Sequence, residues 1–393
     1  MRVGFAIFDA ATGQSYAGLP DRLGISYEEI TRAVTPNSGN LAFKYAAGKL
    51  VGPEVVYFNF NDDPLALRDQ VDAVVLAEAN LVNPQVNYAK PARFIKQLDR
   101  PVFLCGVGAQ ANIETDPEQF PTIPTGTLSF LQEVSSRTDA ILVRGEFTES
   151  VLKRLGITNV QAVGCPSLLI NSDRKLWETI GTKNRQNSLM ERPTVTEGVY
   201  PAAKRTPTSD KAERLLFQLV RFMDADFVGQ SQILIRKIGF GYADEVRDED
   251  LGKIARYLAP GANLAEVRAT LRSNSRAFAR VDEWVSYLRS RTSVIGSRIH
   301  GNMMGIQAGI PSMPVVHDSR TLELCETMGI PYTTIRKVSS LDSVDNISSV
   351  YDGLFSADLK SLDKRRLEIA AVYSKVLSSL GIQPSSHLSI LAD

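Results

Sequence analysis

Short apolar runs alternate along this chain with longer segments in which apolar residues recur at helical spacing. Apolar runs of about four to eight residues, rich in branched and aromatic side chains, are typical of buried strands. The runs in the first half of the chain are residues 3–8, 54–60, 73–77, 100–106, 140–143 and 160–163. Helical spacing falls between them at residues 41–50, 88–98, 125–137 and 146–155. This alternation predicts a parallel sheet with helices on both faces.

The second half of the chain repeats the pattern after a polar stretch at residues 171–192, which predicts a surface crossing between two domains. The strands predicted there are residues 193–198, 233–235 and 293–296. The predicted helices are residues 211–223, 249–257 and 264–271, followed by a long final helix at 357–380. We therefore predict an α/β protein with one domain at 1–187, a second at 188–356, and a C-terminal helix and tail at 357–393.

Composition excludes several classes of protein. The 393 residues carry 44 Lys and Arg against 44 Asp and Glu, so the chain lacks the basic field of a dedicated nucleic-acid binder. Cys105, Cys165 and Cys325 are scattered without CxxC spacing, which argues against disulfides and zinc and favours a reducing cytoplasm. No segment approaches the roughly 18 to 20 apolar residues of a membrane span. We expect a soluble, cytoplasmic protein.

The second half contains the densest candidate chemistry. Arg298 and His300 follow an apolar strand, and Asp318 and Arg320 follow the next one. Ligands of open α/β sheets bind beyond the carboxyl ends of the strands, which is where these side chains fall. If the strand geometry persists, Arg298 and His300 project to the same side and form an anion site with a proton donor. The alternative is structural: a histidine bonded to a carbonyl and an arginine paired with a carboxylate.

The first half has a similar arrangement at Arg144, which ends a strand and precedes a helix. Arg144 and Arg298 could meet across a cleft between the domains. Two guanidinium groups that converge on one spot indicate a carboxylate or phosphate ligand, because arginine offers planar, bidentate donors. The alternative is an ion pair between the domains, with Glu146 or Asp318 as the acid.

Weaker signals surround these residues. Glycines at strand ends allow a ligand to approach the backbone, and helix starts offer backbone N–H groups to an anion, although an ordinary helix cap explains the latter equally well. Cys165 is expected to be a small buried residue. His317 and Arg320 are expected to support the site rather than to form it. The residues predicted to contact substrate are Gly39, Asn40, Gly106, Gly108, Gln110, Ser297, Gly301 and Asn302.

Taken together, these residues resemble the polysaccharide pyruvyltransferase family. The most specific part is Arg298-Ile299-His300-Gly301, with matching stretches at 281–284, 308–311, 143–148, 164–167 and 37–40. The resemblance runs from about residue 30 to about residue 330. It implies two Rossmann-like domains facing a cleft, as in GT-B glycosyltransferases, with a C-terminal helix that crosses back.

The resemblance also implies an activity: transfer of pyruvate from phosphoenolpyruvate to hydroxyls of a saccharide, which gives a pyruvate ketal and phosphate. Arg144 and Arg298 match the anion-binding arginines of the family, and His300 matches its acid, whose pKa a bound dianion would raise. Phosphoenolpyruvate is then a co-substrate, and no metal or cofactor is implied. The acceptor sugar, its attachment to a lipid, contact with the inner face of a membrane and the oligomeric state stay open.

Two rival functions stay open as well. One is a GT-B glycosyltransferase that uses a nucleotide sugar in the same cleft, and the other is a non-catalytic binder of anionic saccharides. Two departures from the family pattern leave acceptor recognition and the identity of any base unassigned. Asn40 stands where the family commonly has Asp, and Glu78-Ala79-Asn80 stands where it often has glycines.

Overall fold

Two α/β domains account for most of the described residues. The computed structural model describes residues 1–6, 26–33, 37–52, 54–111, 114–186, 189–198, 205–355 and 359–393. The strands are β1 (Val3–Ala6), β2 (Val55–Phe58), β3 (Ala73–Ala77), β4 (Val102–Val107), β5 (Ile141–Val143), β6 (Val160–Ala162), β7 (Pro193–Thr196), β8 (Asp226–Val228), β9 (Ser275–Arg276), β10 (Ser293–Gly296), β11 (Ser312–Val316) and β12 (Thr333–Thr334). The helices are α1 (Tyr27–Ala33), α2 (Gly39–Leu50), α3 (Pro64–Arg68), α4 (Ala89–Leu98), α5 (Thr125–Ser135), α6 (Glu146–Arg154), α7 (Leu176–Gln186), α8 (Pro207–Phe222), α9 (Ile233–Gly239), α10 (Asp248–Leu258), α11 (Leu264–Asn274), α12 (Val281–Leu288), α13 (Ile299–Gln307), α14 (Ser319–Met328), α15 (Ile335–Ser339), α16 (Ile347–Phe355), α17 (Lys360–Ser379) and α18 (Ser386–Ala392).

The strand order of each sheet shows where a ligand site is expected. The first sheet has the parallel order β2-β1-β3-β4-β5-β6, so the direction of the order reverses between β1 and β3. The second has the parallel order β12-β11-β10-β7-β8-β9, which is the Rossmann order and reverses between β7 and β10. Ligands of such sheets bind beyond the carboxyl ends of the strands at these reversals. The predicted pair of Rossmann-like domains is confirmed.

The sequence of β3 explains how the first domain is assembled. Successive side chains of a strand point to opposite faces of the sheet, so a strand buried on both faces is apolar throughout. Val74 and Leu76 pack into an apolar cluster that belongs to the first domain. Val75 packs into a cluster on the other face that continues into the second domain. The first sheet is therefore buried on one side against elements of the second half of the chain.

Several boundaries differ from the sequence prediction. Residues 233–235, predicted as a strand, begin helix α9, because the side chain of Gln232 accepts a hydrogen bond from the N–H of Ile235 and caps a helix there. The polar stretch at 171–192 contains α7, which buries Trp177 completely. Strand β8 was not predicted. Residues 7 and 8 of the first predicted strand, and both predicted domain boundaries, lie outside the described residues.

The last long helix joins both domains, as predicted. Two neighbouring arginines of α17 reach in different directions: Arg365 donates to the carbonyl of Thr327 in the second domain, and Arg366 donates to the carbonyl of Leu168 in the first. Asp363 accepts hydrogen bonds from the N–H groups of Trp177 and Glu178 at 2.9 and 3.1 Å, and so caps α7. Among the described residues, no helix is long and apolar enough to cross a membrane.

Replacement of Arg366 with methionine is expected to destabilise the protein strongly. Arg366 is fully buried and donates to the carbonyls of Leu168, Asn171 and Asp173. The Leu168 carbonyl is buried and loses its donor at a cost of about 1–3 kcal/mol, whereas the bonds to Asn171 and Asp173 are only partly buried, so we expect a loss of about 1–3 kcal/mol in urea unfolding. The neighbouring Lys364→Met is the control, because that side chain is 80% exposed. Equal stability of the two variants would contradict this account.

Candidate functional site

The carboxyl edge of the first sheet carries several ionisable side chains, contributed by neighbouring strands. Glu78 follows β3, Cys105 lies in β4, Arg144 follows β5, and Cys165 lies just beyond β6. All four are buried. Because the carboxyl ends of parallel strands meet at one edge of the sheet, residues distant in sequence become neighbours here. This edge borders the second domain through His300.

His300 occupies the first turn of α13 and points into the first domain. Its Nε2 lies 3.6 Å from the Sγ of Cys165, and its ring packs against that of Phe43 with 5.8 Å between centroids. Burial, and then the positive charge of Arg144, lower the pKa of His300 to about 3. Arg144 and His300, which come from different domains, therefore lie close enough for the charge of Arg144 to act on His300, and His300 is neutral at pH 7. The predicted convergence of Arg144 and Arg298 on one ligand stays a prediction.

Arg144 is held in place by backbone rather than by a carboxylate. Its Nε donates to the carbonyl of Gly106 at 2.9 Å, and burial lowers its pKa. A Cβ on Gly108 would lie 2.7 Å from the Cδ of Arg144, and a Cβ on Gly106, whose φ is +80°, would lie 2.9 Å from the carbonyl oxygen of Glu78. These two glycines thus make room for Arg144 and Glu78. Their predicted contact with substrate stays a prediction.

Arg298 does not point to the same side as His300, contrary to the sequence prediction. Strand β10 ends at Gly296 and α13 begins at Ile299, so helical rather than strand spacing separates the two side chains. The Nε of Arg298 lies 3.1 Å from the carbonyl oxygen of Glu197 and 3.2 Å from its carboxylate oxygen Oε1. The arginine thus forms the ion pair that the structural alternative predicted.

The residues around Arg298 build the turn between β10 and α13. Ser297 donates to the buried carboxyl of Glu213 at 2.9 Å. Asn302 donates through Nδ2 to the carbonyls of Gly296 and Arg298 at 2.8 and 2.9 Å. These contacts fix the end of the strand and the start of the helix, and the predicted contacts of Ser297 and Asn302 with substrate stay predictions.

Glycine at position 301 allows α13 to pack directly on β7. A Cβ there would lie 2.5 Å from the Cγ2 of Thr196. The start of α13 could not come so close to β7 if residue 301 carried a side chain. A substrate contact at Gly301 is untested.

The start of α2 contacts the second domain. Ser38 donates through its N–H to the carbonyl of Gln230 at 2.9 Å, and a Cβ on Gly39 would lie 2.5 Å from the Nε2 of Gln230. The N–H of Gly39 is capped by the side-chain oxygen of Asn37 at 3.0 Å. This is the ordinary cap of the structural alternative, and it fixes α2 with Asn40 in its first turn against the second domain. The predicted substrate contacts of Gly39 and Asn40 stay predictions.

A cavity of about 1340 Å³ opens between the domains. Gln110 lines it from the first domain, and Arg298, His317, Asp318 and Arg320 line it from the second. Sequence reasoning gave His317 and Arg320 only supporting positions, whereas both face this cavity. The sequence signal for this position was that both residues follow a strand. That strand, β11, ends beside β10, which places His317 and Arg320 next to Arg298.

The charges on this wall are balanced locally. Arg320 donates to the carboxylate oxygen of Asp318 at 2.6 Å. Burial alone would raise the pKa of Asp318, but His317 and Arg320 hold it at about 2. Burial lowers the pKa of His317, against the opposing effects of Asp318 and of the Val315 carbonyl. An anion that enters the cavity therefore meets the imidazole of His317 and two guanidinium groups, each of which is also paired with a carboxylate.

Two buried residues of the first domain were not predicted as site residues. Glu78 has a pKa raised to about 7 by burial, against the opposing effects of Lys44, Tyr88 and Arg144. Lys44 lies in α2 and is itself buried. Glu78 was visible in the sequence as a departure from the family pattern, but nothing in the local sequence indicated Lys44. The site therefore offers cations for an anionic substrate, a neutral imidazole and a carboxyl that exchanges its proton near neutral pH.

Comparisons with known proteins identify the family of this chain. A search of curated protein sequences finds no match. Among solved structures, the chain is similar in fold to HepE of Anabaena in complex with UDP (8% identity, 97% of this chain and 100% of that one, TM-score 0.47). It is also similar to S. aureus MnaA with UDP (10% identity, 98% and 99% covered, TM-score 0.46). The model of the polysaccharide pyruvyl transferase family matches residues 37–319. This chain belongs to the polysaccharide pyruvyl transferase family.

Proposed function

We propose that this protein transfers the pyruvyl group of phosphoenolpyruvate to hydroxyls of a saccharide, forming a pyruvate ketal in the synthesis of an exopolysaccharide or a cell-surface glycan. The observation that carries this proposal is that Arg144 and His300 come from different domains, are both buried, and lie close enough for the charge of Arg144 to act on His300. Arg298 and Arg320 line the cavity between the domains and add positive charge to its wall. A small dianion and a neutral sugar are the substrates that this combination fits.

In the proposed reaction, the arginines neutralise the carboxylate and phosphate of phosphoenolpyruvate and orient its double bond. His300 protonates the methylene carbon C3, and positive charge develops at C2. A saccharide hydroxyl attacks C2, and a second hydroxyl then displaces phosphate to close the ketal. The neutral His300 of the free protein gains its proton when the dianion binds, because a nearby negative charge favours the imidazolium form.

The activity is tested by mixing wild-type protein with phosphoenolpyruvate and a panel of p-nitrophenyl glycosides. We expect phosphate release that requires both substrates, together with a product that gains the mass of a pyruvate ketal and shows a new methyl signal by NMR. Turnover of UDP-sugars with no use of phosphoenolpyruvate would favour the glycosyltransferase instead. Saccharide binding without turnover of either donor would favour a non-catalytic binder.

A further inference from the structure

Glu78 lies at the point in the first sheet where a ligand is expected. It follows β3 directly, and the strand order reverses between β3 and β1. Ligands of open α/β sheets bind in the crevice beyond the carboxyl ends of the two strands at such a reversal. The corresponding reversal in the second sheet is marked by Glu197 and Arg298, which follow β7 and β10 and pair with each other. Glu78 is an acidic residue at the corresponding reversal of the first sheet, after the strand that corresponds to β10.

The carboxyl of Glu78 is fixed in position by its neighbours. The hydroxyl of Tyr88 donates to its Oε2 at 3.2 Å, and the Glu78 N–H donates to the carbonyl of Cys105 at 3.0 Å. Lys44 of α2 and Arg144 beyond β5 lie close enough to lower its pKa, while burial raises that pKa to about 7. The side chain is therefore held among a phenol, a thiol and two cations, and its carboxyl both binds and releases a proton near neutral pH.

Two buried acids of this protein, Asp226 and Asp363, form ion pairs or cap a helix and so have structural functions. Glu213 and Glu323, like Glu78, have a pKa raised to about 7 by burial. Glu78 differs from these four acids by its position at the reversal of the first sheet. A buried carboxyl is costly for a fold, and one whose pKa lies near neutral pH at the edge of the sheet where ligands bind is a candidate acid or base.

Glu78 and His300 share one neighbour, Arg144, whose charge acts on both side chains. An anion bound at Arg144 would therefore lie between an imidazole on one domain and a carboxyl on the other. We propose that Glu78 is the catalytic base that removes the proton from the attacking saccharide hydroxyl, an assignment that rests on the function proposed above. The acceptor sugar would then lie over the carboxyl ends of β1 and β3.

The assignment gives a balanced reaction. In the first step, the acceptor oxygen bonds to C2 of phosphoenolpyruvate, its proton passes to the Glu78 carboxylate, and the π electrons of the C2–C3 double bond take the proton of His300 onto C3. In the second step, the other hydroxyl bonds to C2 and the bond from C2 to the phosphate oxygen breaks. The second hydroxyl proton returns to neutral His300, and the proton on Glu78 leaves with the phosphate. One acceptor proton thus replaces on His300 the proton that went to the new methyl group, and the other acceptor proton leaves on phosphate.

The test is Glu78→Gln, which keeps the shape of the side chain and removes its ability to accept the proton. We expect kcat to fall about 10²-fold, the lower end for general acid–base catalysis, with KM for phosphoenolpyruvate within about twofold of wild type. Activity of the wild type should decline as the pH falls below about 7, because Glu78 becomes protonated. This acid limb should be absent in Glu78→Gln, and formate should restore part of the activity of Glu78→Ala.

Asp226→Asn is the matched control, because Tyr287 donates to Asp226 at 3.0 Å as Tyr88 does to Glu78. This variant should keep the specific activity and the acid limb. If the wild type releases phosphate and Glu78→Gln does so within about twofold, the assignment of Glu78 is overturned and the proposed function stands. If the wild type does not use phosphoenolpyruvate with any glycoside in the panel, the proposed function is overturned and the assignment with it.

Discussion

Replacing His300 with glutamine is expected to lower kcat about 10³-fold and to leave the affinity for phosphoenolpyruvate largely intact. The proposed donor of the proton to C3 is lost, and general acid catalysis contributes about 10²–10⁴-fold. Glutamine fills a similar space beside Cys165 and Phe43, so the fold should be kept. Phosphate release measures kcat, and isothermal titration calorimetry measures the affinity.

The same histidine makes binding depend on pH. Its pKa is about 3 in the protein without ligand, because of burial and Arg144, and the dianion should raise it. A group whose pKa rises on binding takes up a proton, so its contribution to the affinity for phosphoenolpyruvate is fully present below the pKa of the free protein, about 3, and is lost as the pH rises through the pKa of the complex. In calorimetry near neutral pH, the binding heat should therefore vary with the ionisation enthalpy of the buffer.

His387→Gln is the control for both measurements. The ring of His387 contacts the carbonyl of Leu169 at 2.6 Å, and burial lowers its pKa, as for His300. His387 lies neither at the cavity nor at the sheet edge that carries Arg144. The variant should keep wild-type turnover and proton uptake. If His300→Gln keeps a turnover within about tenfold of wild type, His300 is not the general acid.

Replacing Arg144 with methionine is expected to lower kcat/KM for phosphoenolpyruvate about 10³-fold. The variant loses two charged hydrogen bonds to the substrate, each worth about 1.5–3 kcal/mol, or about 4 kcal/mol together. Since about 1.4 kcal/mol corresponds to a factor of ten, this loss amounts to about 10³-fold. Lysine at this position should recover little of the loss, because it cannot offer two parallel donors. Steady-state kinetics with varied phosphoenolpyruvate measure the effect.

Measuring the stability of Arg144→Met shows whether its loss of kcat/KM is caused by misfolding. Arg144 is almost fully buried and donates to the carbonyl of Gly106, so this variant should lose about 1–3 kcal/mol of stability in urea unfolding and still fold. Arg100→Met is the control, since Arg100 donates to the carbonyls of Arg68 and Val71 at the opposite end of β4. That variant should lose stability and keep its activity per folded molecule. A wild-type kcat/KM for Arg144→Met would rule out Arg144 as an anion-binding residue.

The fold was predictable from the sequence wherever a strand is buried on both faces. Strands β3 and β4 are continuous apolar runs, and the run itself indicates burial. Strand β8 has only three residues and begins with Asp226, so no apolar run indicates it. The run at 233–235 is equally short, and it begins a helix whose first turn is capped by the side chain of Gln232, which accepts from the N–H of Ile235.

The residues of the candidate site could be predicted from the sequence, but the directions of their side chains could not. The positions of Arg144 and His300 after strands were sufficient to predict that both lie where the two domains border each other. The direction of Arg298 could not be predicted, because it depends on whether the helix begins before or after that residue. The neighbours of Glu78 come from separate segments, so its raised pKa is a property of the folded chain.

The C-terminal segment makes the first domain dependent on residues that are synthesised after the second. Val51 forms a bridge with Pro384, and Ser385 donates to the carbonyl of Leu50. Arg366 and Asp363 satisfy backbone groups of residues 168–178. These carbonyl and N–H groups of the first domain therefore gain their partners only after the last helices have been synthesised. We expect folding of the first domain to depend on the C-terminal segment, although the two domains are separate units of architecture.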